Sequence, residues 1–351
     1  MNNNKTNNNN DTSCRLGTVG GQAVLEGVMM KSKDLVALSV RNTDGNIVTE
    51  TEKFTTIRNK YKLLRLPIIR GIVNFAETML LSFKTLNRSA DLLGIEEEPS
   101  KFEIWLEKKF GKSVTAIASV IGTFLGLGLS VLLFLYLPAL ISDLIDKVHY
   151  NIYLKSAVEG VLKILIFTAY IALVGLIPDM KRVFQYHGAE HKSIFCHEAG
   201  LELTPENVKK QSRFHPRCGT SFLFVMMFLG IIISVFYIDL PRLPRVLVKL
   251  IILPLIVGIG FEFIKFAGTH DNLLVRILSA PGLWVQRLTT KEPDIDQIEV
   301  AISSLKASLP DIYPVQNISQ DSFSEKSPEE QSKTDSNCVT DSDGEQKSQK
   351  E

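Results

Sequence analysis

SVTAIASVIGTFLGLGLSVLLFLYLPALIS, residues 113–142, runs without one charged side chain. About 20 apolar residues in a helix cross the hydrocarbon core of a bilayer. This stretch is longer than that, so the chain reads first of all as a membrane protein. CGTSFLFVMMFLGIIISVFYI, residues 218–238, is a second run without charge. Two further apolar runs, 159–178 and 246–264, carry few charges. Glu159 and Lys163 stand four apart in the first, which suits an i,i+4 pair. Lys249 opens the second, where a long side chain can snorkel to the interface. The sequence therefore predicts a mainly α, polytopic membrane protein with about four transmembrane helices in a membrane domain over 113–280.

Whole-chain averages hide this. The 351 residues are 45% hydrophobic and 22% charged, as in a soluble protein, because the apolar residues are clustered. Lys plus Arg number 39 against 38 Asp plus Glu. Near neutrality excludes a broad electrostatic reader of nucleic acid, so membrane lipid is the expected partner and nucleic acid is not. Four cysteines, Cys14, Cys196, Cys218 and Cys338, make no dense disulfide framework. The opening MNNNKTNNNN lacks the apolar core of a signal peptide.

Outward from the spans, residues 1–13 and 314–351 are polar and low in complexity, and are expected to be disordered. Residues 17–57 read as a small β unit. LVALSVRN (35–42) and NIVTETEKF (46–54) alternate in the strand manner around Thr43-Asp44-Gly45, a hairpin signal. Gly20-Gly21 fits no phosphate-loop spacing, so a tight turn is expected there. Residues 60–93 read as helical, within an amphipathic segment reaching residue 112. Such a helix either lies on the membrane or packs on the β unit. IDQIEVAISSLKASL, residues 295–309, places Ile295, Ile298, Val300, Ala301 and Leu305 at helical spacing, a cytoplasmic amphipathic helix within 281–309.

Basic residues set the orientation. The loop 179–218 holds Lys181, Arg182, Lys192, Lys209, Lys210, Arg213 and Arg217, whereas 143–158 and 239–245 hold two each. Both termini and the loop 179–218 are therefore expected in the cytoplasm.

That loop carries the chemistry. FQYHGAEHK, residues 184–192, sets His187 and His191 four apart, on one face of a helix. Two imidazoles so placed can point at one metal ion. The order H-x-x-E-H, with Glu190 before His191, is that of the inverted zincins, where the Glu is general base. A catalytic zinc needs a third protein ligand. RFHPRCGTSF, residues 213–222, offers His215 and Cys218. Glu262, inside the fourth apolar run, is the other candidate, since an ionisable residue within a span is costly and usually functional. The alternative for Glu262 is a pair with Lys265. His270-Asp271, Cys196 and His197 are weaker candidates, and His149 falls on the outer side.

GGQAVLEGVMM (20–30), QYHGAEHK (185–192), HPRCGTSF (215–222) and PGLWVQRLTTKEPDIDQIEVAI (281–302) together resemble the YqhQ-like family. These are uncharacterised bacterial membrane proteins, a domain of unknown function described as metal-dependent enzymes. The resemblance runs from about residue 17 to about residue 309 and shows no departure at His187, Glu190, His191, Cys218 or Glu262. It implies a bacterial source and an inner (cell) membrane setting.

Three functions follow. The first is a membrane-bound, metal-dependent hydrolase, with zinc or a similar divalent ion on His187, His191 and one of Glu262, His215 or Cys218, and with Glu190 as base. The second is a scaffold stabilised by a closed metal site. The third is an ion-coupled transporter using Glu262, for which no inverted repeat is visible.

Overall fold

The computed structural model describes residues 17–94, 113–145, 151–216, 218–267 and 273–314. The polar tails expected at 1–13 and beyond residue 314, the stretch 95–112, His149 and His270-Asp271 lie outside the described residues.

The N-terminal unit is a four-stranded antiparallel sheet in simple order, β1 (Gly20–Val24), β2 (Gly27–Lys31), β3 (Leu35–Arg41) and β4 (Ile47–Lys53). The expected hairpin joins β3 to β4, with Gly45 at φ +84° as its turn demands. The middle strands have both faces covered. In β3 the large Val36, Leu38 and Val40 face α1 (Ile69–Leu93). The small Ala37 and Ser39 alternate with them and let α10 (Ile295–Ser308) approach, so that Ser304 donates to the Ala37 carbonyl at 3.0 Å. Val28 and Met30 of β2 join Tyr186, Ala189, Ile298, Ala301 and Leu305 in the core between the sheet, α10 and α5 (Pro178–Glu198). Full burial of each such side chain stabilises by roughly 1.5–3 kcal/mol. The helix expected at 295–309 is thus α10, started by a capping box between Asp294 and Gln297. It is buried beneath the sheet, with only Ile295 of the expected apolar face largely exposed.

Several boundaries differ from expectation. The helix expected from residue 60 begins at Ile69. Pro67 cannot continue a helix, and Ile68 takes φ +68° and ψ −55° in a tight turn closed by the Ile69 N–H on the Pro67 carbonyl at 2.8 Å. Short 3₁₀ turns, Ile57–Asn59 and Lys62–Arg65, precede it. The stretch 179–218 is largely helical, with α5 followed by the one-turn α6 (Pro205–Lys209). The segment 281–309 divides between two helices, since Pro281 lies inside α9 (Leu273–Thr289) and α10 follows.

The remaining helices are α2 (Ser113–Val131), which passes through a π-helical turn at Leu132–Tyr136 into α3 (Leu137–Ile145), then α4 (Ile152–Val174), α7 (Gly219–Ser234) and α8 (Arg242–Ala267). Three stretches among the described residues are long and apolar enough to cross a membrane: Ile121–Leu144, Ile152–Val174 and Arg242–Phe263. The remaining expected span, the third, is the shorter helix Gly219–Ser234. These helices turn apolar side chains outward, with Leu125 69% and Ile251 77% exposed, the reverse of a water-soluble fold. The second span starts at residue 152, not 159, because Asn151 caps α4 and the charges of its first turns are turned inward. Glu159 reaches across to Arg245 and Lys249 instead of pairing with Lys163 along the helix. Lys249 accordingly does not snorkel, and is buried.

Candidate metal centre

Helix α5 presents the H-x-x-E-H residues from its middle. Pro178 at its first turn and Asp179 beside the free N–H groups suit a helix start, and Gly200 at φ +69° ends it. Two backbones grip it closely. A Cβ on Gly188 would lie 2.1 Å from the Lys291 carbonyl oxygen, so only glycine lets the segment after α9 pass there. The Lys291 N–H donates back to the Phe184 carbonyl at 2.8 Å. On another side, a Cβ on Gly21 of β1 would lie 2.8 Å from Glu190 Cγ. The glycine pair expected as a tight turn is thus part of a strand laid on the Glu190 side chain.

The donor atoms of His187, His191 and Cys218 all lie within 4.8 Å of one another. His187 Nδ1 meets the Thr289 carbonyl at 2.9 Å, and His191 Nδ1 meets the Arg213 carbonyl at 2.6 Å. A carbonyl only accepts, so each Nδ1 carries its proton and each Nε2 keeps its lone pair. His187 Nε2 is 3.3 Å from Cys218 Sγ, and Cys218 also bonds the His191 ring. Burial holds the His191 imidazole below its ordinary range, against the Cys218 contact, which raises it. Cys218 stands at the N-cap of α7. Glu190 is 5% exposed, with Oε2 4.0 Å from His187 Nε2. Burial pushes its carboxyl up to about 7, opposed by His187 and by the Gly21 N–H.

The other sequence candidates are placed elsewhere. His215 forms a neighbouring layer. Its ring centroid is 5.6 Å from that of His191 and 4.5 Å from Phe195, and its Nε2 is 3.5 Å from Glu198 Oε2. Its backbone is held at both ends by the buried Gln286 of α9, at 2.8 and 2.7 Å. Glu262 is not with the histidines. Arg70 of α1 takes both its oxygens, and the Ile68 N–H adds a contact at 3.4 Å. Arg70 is thus its bidentate partner, and the charge of Lys265, the expected alternative, also acts on it. Cys196 is buried in the core between sheet and helices, where burial pushes its thiol up to about 11. His197 meets Thr18 and Tyr313, at 3.3 and 2.9 Å. Sequence reasoning missed Gly21, Gly188, Gln286 and the Thr289 and Arg213 carbonyls. Only Gly188 left a signal, since a glycine inside a helix costs about 1 kcal/mol relative to alanine and needs a packing reason.

A family model described as "Protein of unknown function (DUF1385)" matches residues 66–311. The "Uncharacterized protein YqhQ" of Bacillus subtilis (strain 168) is 35% identical over 297 residues, covering 83% of this chain and 92% of the relative. The chain therefore belongs to the DUF1385 family, as the YqhQ-like motifs led us to expect. No solved structure matches it.

Proposed function

We propose that this protein is a membrane-bound, metal-dependent hydrolase whose ion, most simply zinc, is held by His187, His191 and Cys218. The observation that carries this reading is the convergence of three donors, all within 4.8 Å, with both imidazoles turned by backbone carbonyls so that Nε2 faces Cys218. Such outer hydrogen bonds are what orient ligating histidines. Tetrahedral bonds of about 2.0–2.3 Å put donors roughly 3.3–3.8 Å apart, so donors all within 4.8 Å share a single ion after a small side-chain adjustment. Three protein ligands leave the fourth position open, as catalytic sites do and structural sites do not.

When bound, the ion supplies a polarised water of lowered pKa. The chain supplies the rest. Glu190, buried beside His187, would take up the proton that a hydrolytic water gives up and would hand it to the leaving group. The Gly21 N–H holds the carboxylate in place, and β1 lies directly on the Glu190 side chain. Glu262 takes no part in this site. That weakens an ion path through it, because its carboxylate is spent on Arg70.

The setting is the cytoplasmic face of a bacterial inner membrane. Four crossings, with Gly219–Ser234 as the third, put both termini and α5 on the basic, cytoplasmic side. The candidate site then lies where a peptide or lipid head group is reached from the cytoplasm.

The test is elemental analysis of detergent-purified protein. Wild type should carry about one ion per chain, His187→Ala and Cys218→Ser much less, and Glu190→Gln as much as wild type. A Glu190→Gln variant that loses the ion as His187→Ala does would make Glu190 a ligand and close the site. That result would favour the scaffold.

A further inference from the structure

A second polar constellation lies in the opposite half of the helical bundle, and nothing in the hydrolase reading uses it. Asp143 of α3 holds Arg242 at 3.2 Å, Arg245 at 2.7 Å and Lys155 at 3.5 Å. Glu159 of α4 holds Arg245 at 3.3 Å and also Lys249. Arg245, Glu159 and Lys249 have side chains no more than 5% exposed. The two carboxylates are thus already shared among several cations. Lys163 comes on top of them. It lies one helical turn beyond Glu159, and among the described residues it has no hydrogen-bond or ion-pair partner.

Lys163 and Lys249 line one cavity of about 250 Å³ between α4, α7, α8 and the π-helical turn. The rest of its wall is apolar and includes Phe134, Phe167, Met227 and Ile256, with Gly230 leaving part of the space open. Leu223 and Leu253, also in the wall, are 38% and 45% exposed, so the cavity borders the lipid side of the bundle. Lysines facing apolar space within a span are costly unless something pairs with them. Basic pockets between transmembrane helices bind anionic lipid head groups.

We infer that this cavity holds one anionic phospholipid, its phosphate on Lys163 and Lys249 and part of an acyl chain along Phe167, Met227 and Ile256. The surplus of positive charge selects the head group. The apolar wall selects a lipid over a free anion. The volume lies just below the usual range of about 300–1,000 Å³ for small-molecule pockets, which suits part of a lipid rather than all of it.

The test is native mass spectrometry of the full chain released from nanodiscs of equal phosphatidylglycerol and phosphatidylcholine. Wild type should retain one phosphatidylglycerol. Lys163→Met, which removes the charge and keeps the length, should lower that occupancy at least tenfold without lowering the melting temperature. Gly230→Leu should fill the space and lower occupancy comparably with both lysines intact; a Cβ there meets nothing nearer than Ile256 Cδ1 at 3.8 Å. Equal retention of the two lipids by wild type, or undiminished phosphatidylglycerol on Lys163→Met, would overturn the proposal. So would thermal stabilisation of the delipidated protein by inorganic phosphate or oleate alone as strong as that by phosphatidylglycerol.

Discussion

The two polar clusters of this protein are built on opposite principles. Around Glu159, charge meets charge: Arg245 and Lys249 converge on one buried carboxylate and Asp143 takes up the next cations. Around His187, two imidazoles are aimed toward one sulfur by groups behind them, the Thr289 and Arg213 carbonyls. The first arrangement spends its carboxylates on cations and ties helices together. The second leaves lone pairs converging, which is what a ligand site requires. Burial alone does not separate the two, since Glu159 and Glu190 are 2% and 5% exposed. What separates them is whether the neighbours neutralise the group or only orient it.

The sharpest way to break this comparison is to remove the shared carboxylate. Glu159→Gln leaves Lys249 buried without its ion-pair partner and Arg245 with Asp143 alone, and should cost about 3–5 kcal/mol. Thermal unfolding in detergent should show a large drop in melting temperature, with any bound ion retained until the protein unfolds. A small change would mean that the cluster is no structural tie. Next in size is Gly188→Ala. The added methyl must displace the Lys291 carbonyl, and overpacking of this kind costs about 1–3 kcal/mol. Because the displaced segment follows Thr289, metal affinity should fall together with stability. Melting and zinc titration of one preparation would show whether the two move together. The smallest effect is expected from Glu262→Gln. Its pair with Arg70 has side chains 26% exposed on both partners, and exposed pairs contribute little to stability, so the melting temperature should hardly move. Metal content should not change, and a loss of metal in this variant would return Glu262 to the site.

What the sequence made legible depended on distance along the chain. The H-x-x-E-H face of α5 and the β3–β4 hairpin are local patterns, set by helical and strand periodicity, and both are present. The donor trio joins residues 31 apart, His187 in the middle of α5 and Cys218 at the start of α7, a meeting that local periodicity does not contain. Glu262 was singled out by the cost of a carboxylate in an apolar run. That reasoning correctly demanded a partner, but Arg70 stands 192 residues away. Nothing in the spacing of residues announces a contact of that range. The same holds for the Gly21 strand on Glu190 and for the 289–293 segment on Gly188. Each depends on how the sheet and α10 enclose α5, and packing is not written in local periodicity.

The central claim is that His187, His191 and Cys218 hold one ion and leave a position open. X-ray absorption at the zinc edge of zinc-loaded, detergent-purified protein tests it most directly. The account predicts one sulfur at about 2.3 Å and two imidazole nitrogens at about 2.0–2.1 Å, with a further light atom that exchanges. The reduced amount of zinc that Cys218→Ser still takes up should show imidazole nitrogen and no sulfur. A wild-type spectrum with no sulfur, or with only one imidazole, would contradict it.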